Sequence, residues 1–239
     1  MNRIAVLIPF GNETPWRTKA LEYTRSWYAE NLAGATVRIG SCEGNWCKAA
    51  AISSALAEGT ESVVVIADAD SVTPGIQQAV QAVQEGAAWA MPHLKVYRMN
   101  RDATRAIYDG ASPGSLTGKM IWLDQSPYKG FEGGGITVLR RDAYLDCPLD
   151  PAFKGWGQED EAWALALNGL YGAPWRGRAP LYHLWHEKPS RLSRYAGSAA
   201  SLARLDRYKE ASLHGAWPEL LEEARNHVRL DISRCRVAI

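Results

Sequence analysis

The chain has 239 residues, with 27 Lys+Arg against 26 Asp+Glu, and is 46% hydrophobic and 22% charged. These values are ordinary for a soluble globular protein, and they exclude a disordered chain and a collagen-like repeat. The longest strongly apolar run, residues 62–67, is far shorter than the roughly 18 residues that a membrane-spanning helix needs. The length fits one large α/β domain or two small ones.

The first apolar segment is Ile4–Pro9. A continuous run of this kind is typical of a parallel strand that is covered on both faces. We interpret it as a strand and not as part of a signal peptide, because it ends at Phe10-Gly11 without a small-residue cleavage site. The following Thr14-Pro15 has the pattern of a helix N-cap and first helical residue.

Strand and helix patterns then continue to alternate. The predicted segments are a strand at 35–40, a helix at 46–56, a strand at 62–67 and a helix that Thr73-Pro74 would cap and that runs through residue 83. This alternation predicts an α/β fold with a mostly parallel, wound sheet. Ligands of such sheets bind beyond the carboxyl ends of the strands.

The four cysteines form no Cys-x-x-Cys pair, so neither a zinc ribbon nor a redox dithiol is predicted. Reduced, structural thiols in a cytoplasmic protein are the expectation. From residue 173 onward the chain carries 12 Lys+Arg and 7 Asp+Glu. We expect Arg-rich helices with a solvated basic face there, and an acidic partner or membrane surface is the alternative.

Asp68-Ala-Asp70 follows the predicted third strand directly. In extended backbone, residues two apart point to the same side, so both carboxylates would face one cation. The alternative is a turn that caps the next helix.

A second acidic group opens the helix that begins near residue 159. Glu159, Asp160 and Glu161 follow Gly155-Trp-Gly157, in which the glycines allow a tight turn around Trp156. The helix N-terminus stabilises ionised carboxylates. The Trp156 indole offers an apolar face to a sugar ring.

His183 and His186 lie in a run that reads as a strand with a polar end. Three residues apart in extended backbone, they would point to opposite faces. Only one of them is therefore expected to reach the site.

Taken together, these motifs resemble the GT-A-fold glycosyltransferases of the family 2 kind. The second half is similar to the β-1,4-galactosyltransferase and polypeptide N-acetylgalactosaminyltransferase branch. The resemblance covers about residues 3–190 and follows the family order. The matching segments are Ile8-Pro9 with Arg17, Asn45–Lys48, Asp68–Asp70, Gly133–Gly135 before Val138–Arg140, Leu149–Asp160 and His183–His186.

The resemblance implies a divalent metal, Mn²⁺ or Mg²⁺, that bridges the diphosphate of a nucleotide sugar. Asp70 matches the direct ligand, and Asp68 matches a residue that contacts ribose or metal. His186 matches the third metal contact better than His183 does. Carboxylate, phosphate and imidazole ligands together suit Mn²⁺.

It also implies a donor site and a catalytic pair. Asp160 matches the base that acts on the acceptor hydroxyl and Glu159 the acceptor-binding residue, which favours inversion of configuration. Lys48 matches a basic residue near uracil or phosphate, and Glu132 is a weaker candidate for a sugar hydroxyl. The remaining residues implied at the nucleotide sugar are Pro9, Phe10, Arg17, Asp68, Gly134, Gly135 and Trp156.

The sequence therefore predicts a catalytic domain at residues 1–190 and a basic helical extension at 191–239. Its expected partners are a nucleoside diphosphate sugar, most simply UDP-linked, and a carbohydrate or protein acceptor, with no nucleic acid. A bacterial or phage enzyme of the cytoplasm is expected. A sugar-nucleotide pyrophosphorylase and a non-catalytic carbohydrate-binding module are the alternatives, and the sequence does not identify donor, acceptor or oligomeric state.

Overall fold

The computed structural model describes residues 3–11, 13–124, 134–187 and 198–237. Its strands are β1 Ile4–Pro9, β2 Thr36–Gly40, β3 Val63–Ala67, β4 Ser71–Val72, β5 Trp89–Met99, β6 Met120–Asp124, β7 Ile136–Arg140 and β8 Trp175–His183. Its α-helices are α1 Pro15–Asn31, α2 Lys48–Ala57, α3 Ile76–Gln84, α4 Arg101–Tyr108, α5 Arg141–Asp146, α6 Glu159–Tyr171, α7 Ser198–His214 and α8 Pro218–Val237. A 3₁₀ segment spans Pro113–Lys119.

All eight strands belong to one sheet, in the order β2-β1-β3-β7-β5-β8-β4, with β6 paired to β5. Strands β1, β2 and β3 are parallel, and β7 is antiparallel to both β3 and β5. Because β7 is antiparallel to both of its neighbours, β5 runs in the same direction as β3. Strand β8 is parallel to β5. Five strands therefore run the same way, which confirms the predicted α/β class with a mostly parallel sheet.

Local sequence explains the first two elements. The five residues of β1 from Ala5 to Pro9 are all buried, as the continuous apolar run predicts. Thr14 is the N-cap of α1 and accepts a hydrogen bond from the Arg17 backbone N–H at 3.3 Å, with Pro15 at the first helical position. Both predictions are confirmed.

The start of α3 differs from its prediction. Thr73-Pro74 begins a turn, and the helix starts at Ile76. The Thr73 hydroxyl accepts from the Gly75 N–H at 3.3 Å and donates to the Pro180 carbonyl at 2.8 Å. This side chain thus links the turn before α3 to strand β8.

The C-terminal helices pack on the rest of the fold. Leu205 and Tyr208 of α7 and Leu221 of α8 are buried in the same apolar cluster as Trp163 of α6 and Ile52 of α2. The predicted helical C-terminal part is thus confirmed, and the boundary at residue 190 stays a prediction. Within the described ranges, no helix combines the length and apolar character needed to cross a bilayer.

Candidate active site

The candidate site lies where several elements end at one edge of the sheet. Strands β1, β3 and β8 run the same way, so the residues that follow them meet there. Phe10 follows β1, Asp68 and Asp70 follow β3, and His183 ends β8. The site therefore forms at the edge that the strand pattern predicts.

The two aspartates lie in a turn and not in extended backbone. The Ser71 N–H donates to the Asp68 carbonyl at 3.1 Å, so the chain reverses between them. The side chains consequently have different partners, Lys48 for Asp68 and the histidines for Asp70. The expectation that both carboxylates face one cation, derived from an extended backbone, is not met.

Asp70, His183 and His186 form a candidate metal triad. Their ligand atoms all lie within 4.8 Å of one another, and no other such trio of His, Cys, Asp or Glu occurs in the described part of the chain. Nε2 of His183 is 3.6 Å from one Asp70 oxygen, and Nε2 of His186 is 3.3 Å from the other. Asp68, which the sequence also assigned to the metal, lies outside this triad.

Both histidines reach Asp70, although the sequence predicted only one. Strand β8 ends at His183, so side-chain alternation does not extend to His186. The two-residue strand β4 pairs antiparallel with the end of β8, with Ser71 opposite His183. This pairing, together with a 2.8 Å hydrogen bond from the Leu184 N–H to the Asp70 carbonyl, places the aspartate beside both rings.

The protonation states of the triad suit a cation. Burial acts to raise the pKa of Asp70, but His183, His186 and Arg17 outweigh it and lower this pKa, so the carboxylate is ionised. Burial lowers the pKa of His183 despite Asp70, which favours the neutral imidazole that a metal requires. Nδ1 of His186 is 2.8 Å from the Glu187 carbonyl oxygen. A hydrogen bond of this kind directs Nε2 toward a metal.

Lys48 connects the turn that contains Asp68 to the acidic start of α6. Its Nζ atom is 2.9 Å from Asp68 Oδ1 and 2.9 Å from Asp160 Oδ1. Lys48 is buried, and burial alone would lower its pKa, but Asp160, Asp68 and Glu159 together raise the pKa well above its ordinary value. The side chain is therefore a fixed ammonium ion.

Glu159, the partner of Asp160 in the predicted catalytic pair, has an unusual pKa. Burial, with Asp160 beside it, raises its pKa to about 7. Its Oε2 atom is buried and has no hydrogen-bond partner among the described residues. A carboxyl in this state can donate or accept a proton near neutral pH.

Two aromatic rings lie near the Arg17 side chain of α1, beside the triad. They belong to Trp156, in the loop before α6, and to Phe10, which follows β1. Gly155 and Gly157 have φ values of 83° and 105°, as expected for the tight turn around Trp156. The Arg17 guanidinium lies 5.2 Å from the Trp156 ring and 5.9 Å from the Phe10 ring. Its Nη1 atom is 4.0 Å from Asp70. Arg17 thus joins the predicted donor-binding residues to the triad.

The remaining residues that are predicted at the donor include Gly134, Gly135 and Pro9, and Gly135 contacts the turn that contains Asp68. Gly134 and Gly135 have φ values of 78° and 71°, and the Gly135 carbonyl accepts from the Asp68 N–H at 2.8 Å. Pro9 is buried at the end of β1 opposite Gly40. Glu132 and Gly133 lie outside the described residues.

Sequence reasoning missed two contacts that organise the site. The first is the Lys48–Asp160 pair, which spans 112 residues of chain and has no local pattern. The second is a 2.8 Å hydrogen bond from the Thr14 hydroxyl to Glu187, which ties the start of α1 to the segment after the histidines. The only sequence signal for Lys48 was its place in Asn45–Lys48, a match that suggested a nucleotide contact.

Solved structures with a similar fold include several glycosyltransferases. A Drosophila β-1,4-galactosyltransferase 7 mutant, in complex with manganese, UDP-Gal and xylobiose, is 12% identical, with 74% of this chain and 65% of that chain covered and a TM-score of 0.45. Glucosyl-3-phosphoglycerate synthase from Mycobacterium tuberculosis is 16% identical, with coverages of 88% and 80% and a TM-score of 0.48. A mannosyltransferase from Pyrobaculum calidifontis, in complex with GDP-Man and Mn²⁺, is 17% identical, with coverages of 99% and 74% and a TM-score of 0.47.

No protein-family model matches the chain, and no curated protein is significantly similar to it in sequence.

Proposed function

We propose that this protein is a metal-dependent glycosyltransferase that moves a sugar from a nucleoside diphosphate, most simply UDP, to an acceptor hydroxyl. The observation that carries the proposal is the Asp70–His183–His186 triad, which lies at the sheet edge where Lys48 links Asp68 to the Asp160 carboxylate. The candidate metal triad and the candidate base Asp160 are thereby connected through Asp68 and Lys48.

The triad would hold the metal. One ionised carboxylate and two imidazoles form a donor set that suits Mn²⁺ better than Mg²⁺, since Mg²⁺ prefers oxygen ligands. The bound cation would supply Lewis-acid neutralisation of charge on the departing diphosphate. Arg17, 4.0 Å from Asp70, adds a fixed positive charge on the same side.

Asp160 would act as the general base. It takes the proton of the acceptor hydroxyl while the acceptor oxygen bonds to the anomeric carbon and the bond from that carbon to the diphosphate breaks, with the electron pair leaving on the diphosphate. Attack from the face opposite the leaving group inverts configuration. Glu159 would bind the acceptor, and the Trp156 indole would contact the sugar ring of the donor.

The proposal is tested by incubating the chain with a panel of UDP- and GDP-sugars and candidate acceptors, with Mn²⁺ or with a chelator, and measuring free nucleoside diphosphate. We expect release that depends on Mn²⁺. Asp70→Asn is expected to abolish metal-dependent donor binding. Asp160→Asn is expected to leave donor binding intact and to lower turnover by about 10²–10⁴-fold.

Other outcomes point to other activities. Consumption of pyrophosphate with formation of a nucleoside triphosphate would indicate a pyrophosphorylase. Glycan binding without any nucleotide release would indicate a carbohydrate-binding module. A fully active Asp160→Asn variant would contradict the assignment of the base.

A further inference from the structure

Lys48 contacts two carboxylates that the sequence assigns to different tasks. Its ammonium is 2.9 Å from Asp68, beside the metal triad, and 2.9 Å from Asp160, the candidate base. The Lys48 side chain is only 9% exposed. Without these carboxylates the largely buried ammonium would be an uncompensated charge, which is strongly unfavourable. The ammonium is therefore fixed between the two carboxylates.

This bridge separates Asp68 from the metal triad. The Asp68 carboxylate is bound through Oδ1 by Lys48, while the Asp70 carboxylate faces His183 and His186. The turn between the aspartates, closed by the Ser71 N–H on the Asp68 carbonyl, directs them to different partners. The two carboxylates of one Asp-x-Asp motif thus face different partners.

We propose that Lys48 is a positioning residue for Asp160, and that Asp68 belongs to this positioning unit and not to the metal site. The inference rests on the proposed function. Lys48 holds Asp160 Oδ1, and proton transfer from the acceptor is assigned to Oδ2. Asp68 in turn anchors Lys48 to the turn after β3, which fixes the base relative to the triad.

A nucleotide-binding role for Lys48, which the sequence resemblance suggests, makes a different prediction. A lysine that binds the donor affects mainly the donor KM when its charge is removed. A lysine that positions the base affects kcat and leaves the donor KM nearly unchanged. The two roles are therefore separated by steady-state kinetics.

The experiment compares Lys48→Met, Lys48→Arg, Asp68→Asn and Asp70→Asn with the wild type. Mn²⁺ binding is measured by calorimetry, and nucleotide release gives kcat and the donor KM. Lys209→Met is the control, because Lys209 pairs with Glu161, the neighbour of Asp160, across a more exposed contact of 3.4 Å. It removes the same charge beside the same helix start.

We expect Lys48→Met and Asp68→Asn to bind Mn²⁺ within about threefold of the wild type, while Asp70→Asn loses binding. The kcat of Lys48→Met is expected to fall by about 10²-fold with little change in donor KM, since misplacing a general base removes its contribution. The kcat of Lys48→Arg should be about tenfold higher than that of Lys48→Met. Lys209→Met should match the wild type.

A higher donor KM with unchanged kcat in Lys48→Met would overturn the inference, as would loss of Mn²⁺ binding in Asp68→Asn equal to that in Asp70→Asn. If Lys48→Met does not fold, Lys48→Arg and Asp68→Asn decide the matter by the same measurements. A wild type that binds Mn²⁺ but transfers no sugar would refute the proposed function and with it the role of Lys48 toward a base, while the Mn²⁺ titrations would still decide whether Asp68 belongs to the metal site. A wild type that binds no Mn²⁺ would overturn both.

Discussion

The ionisation of Glu159 is coupled to the fold. This residue lies at the first position of α6, and burial followed by the charge of Asp160 raises its pKa to about 7. In the unfolded chain this carboxyl ionises near its ordinary value of 4.5. Between these two pH values the folded state holds one more proton than the unfolded state. The free energy of unfolding therefore decreases as pH rises through this range.

Glu159→Gln is expected to reduce this loss of stability, because the amide stays neutral at every pH. The difference in unfolding free energy between variant and wild type should shift in favour of the variant from pH 5 to pH 8. Urea unfolding at each pH measures it. Glu222→Gln, at an exposed position of α8, is the control and should show no such trend. If the difference in unfolding free energy between Glu159→Gln and the wild type does not change with pH, the raised pKa of Glu159 is contradicted.

Single residues also show what the sequence does and does not predict. Asp70 and His186 match the metal ligands of a family pattern, and the structure places both in the candidate triad. That they bind a metal stays a prediction. Side-chain alternation predicts that only one of the two histidines reaches the site, but this rule assumes a strand that in fact ends at His183. The Lys48–Asp160 contact joins two helix starts through the tertiary fold, and no local pattern encodes such a pair.

At the scale of elements, the turn from Gly155 to Gln158 sets the direction of α6. Gly157 has a φ of 105°, and Gln158 is the only non-glycine residue with positive φ in the described ranges, at 72°. The Gln158 Oε1 atom is also buried without a hydrogen-bond partner among those residues. This backbone costs an L-residue roughly 1–2 kcal/mol.

Gly157→Ala is expected to lower the free energy of unfolding by about 1–2 kcal/mol through backbone strain. Apart from the residue itself and its two chain neighbours, no described residue has a heavy atom within 4 Å of the added Cβ, so a steric clash is not the cause. Gln158→Gly, one residue later, should leave stability unchanged or raise it by up to about 1 kcal/mol. Urea unfolding measures the stability of both variants. Equal destabilisation by Gly157→Ala and Gln158→Gly would contradict backbone strain in this turn as the cause.

Elements that are determined locally were predicted well. Strand β1 and the N-cap of α1 follow from an apolar run and from Thr14-Pro15. The insertion of β7 antiparallel between β3 and β5 was not predicted, since strand pairing depends on contacts between distant segments. The same holds for β4, whose two residues are too few to form a periodic pattern.

At the scale of the whole molecule, the C-terminal helices support the site through Asp150. This carboxylate is 5% exposed and accepts hydrogen bonds from Arg204 Nε at 2.6 Å, the Tyr208 hydroxyl at 3.0 Å and the Ala152 N–H at 2.8 Å. Asp150 immediately precedes the segment that leads to Trp156. The sequence predicted a solvated basic face for this region, but Arg204 is a largely buried partner of Asp150.

Arg204→Met is expected to lower the free energy of unfolding by about 2–3 kcal/mol, because it leaves the buried Asp150 carboxylate without its cation. Arg207→Met, at an exposed position of the same helix, should change stability by less than about 0.5 kcal/mol. Chemical unfolding of both variants measures the difference. Similar small effects for the two arginines would show that the C-terminal helices do not support Asp150 in this way.

The most direct measurement is calorimetric titration of UDP into the wild-type chain, with and without Mn²⁺, after titration of Mn²⁺ alone. We expect binding of one Mn²⁺ per chain at Asp70, His183 and His186, and tighter UDP binding once the metal is present. Absence of Mn²⁺ binding, together with UDP affinity that the metal does not change, would contradict this expectation.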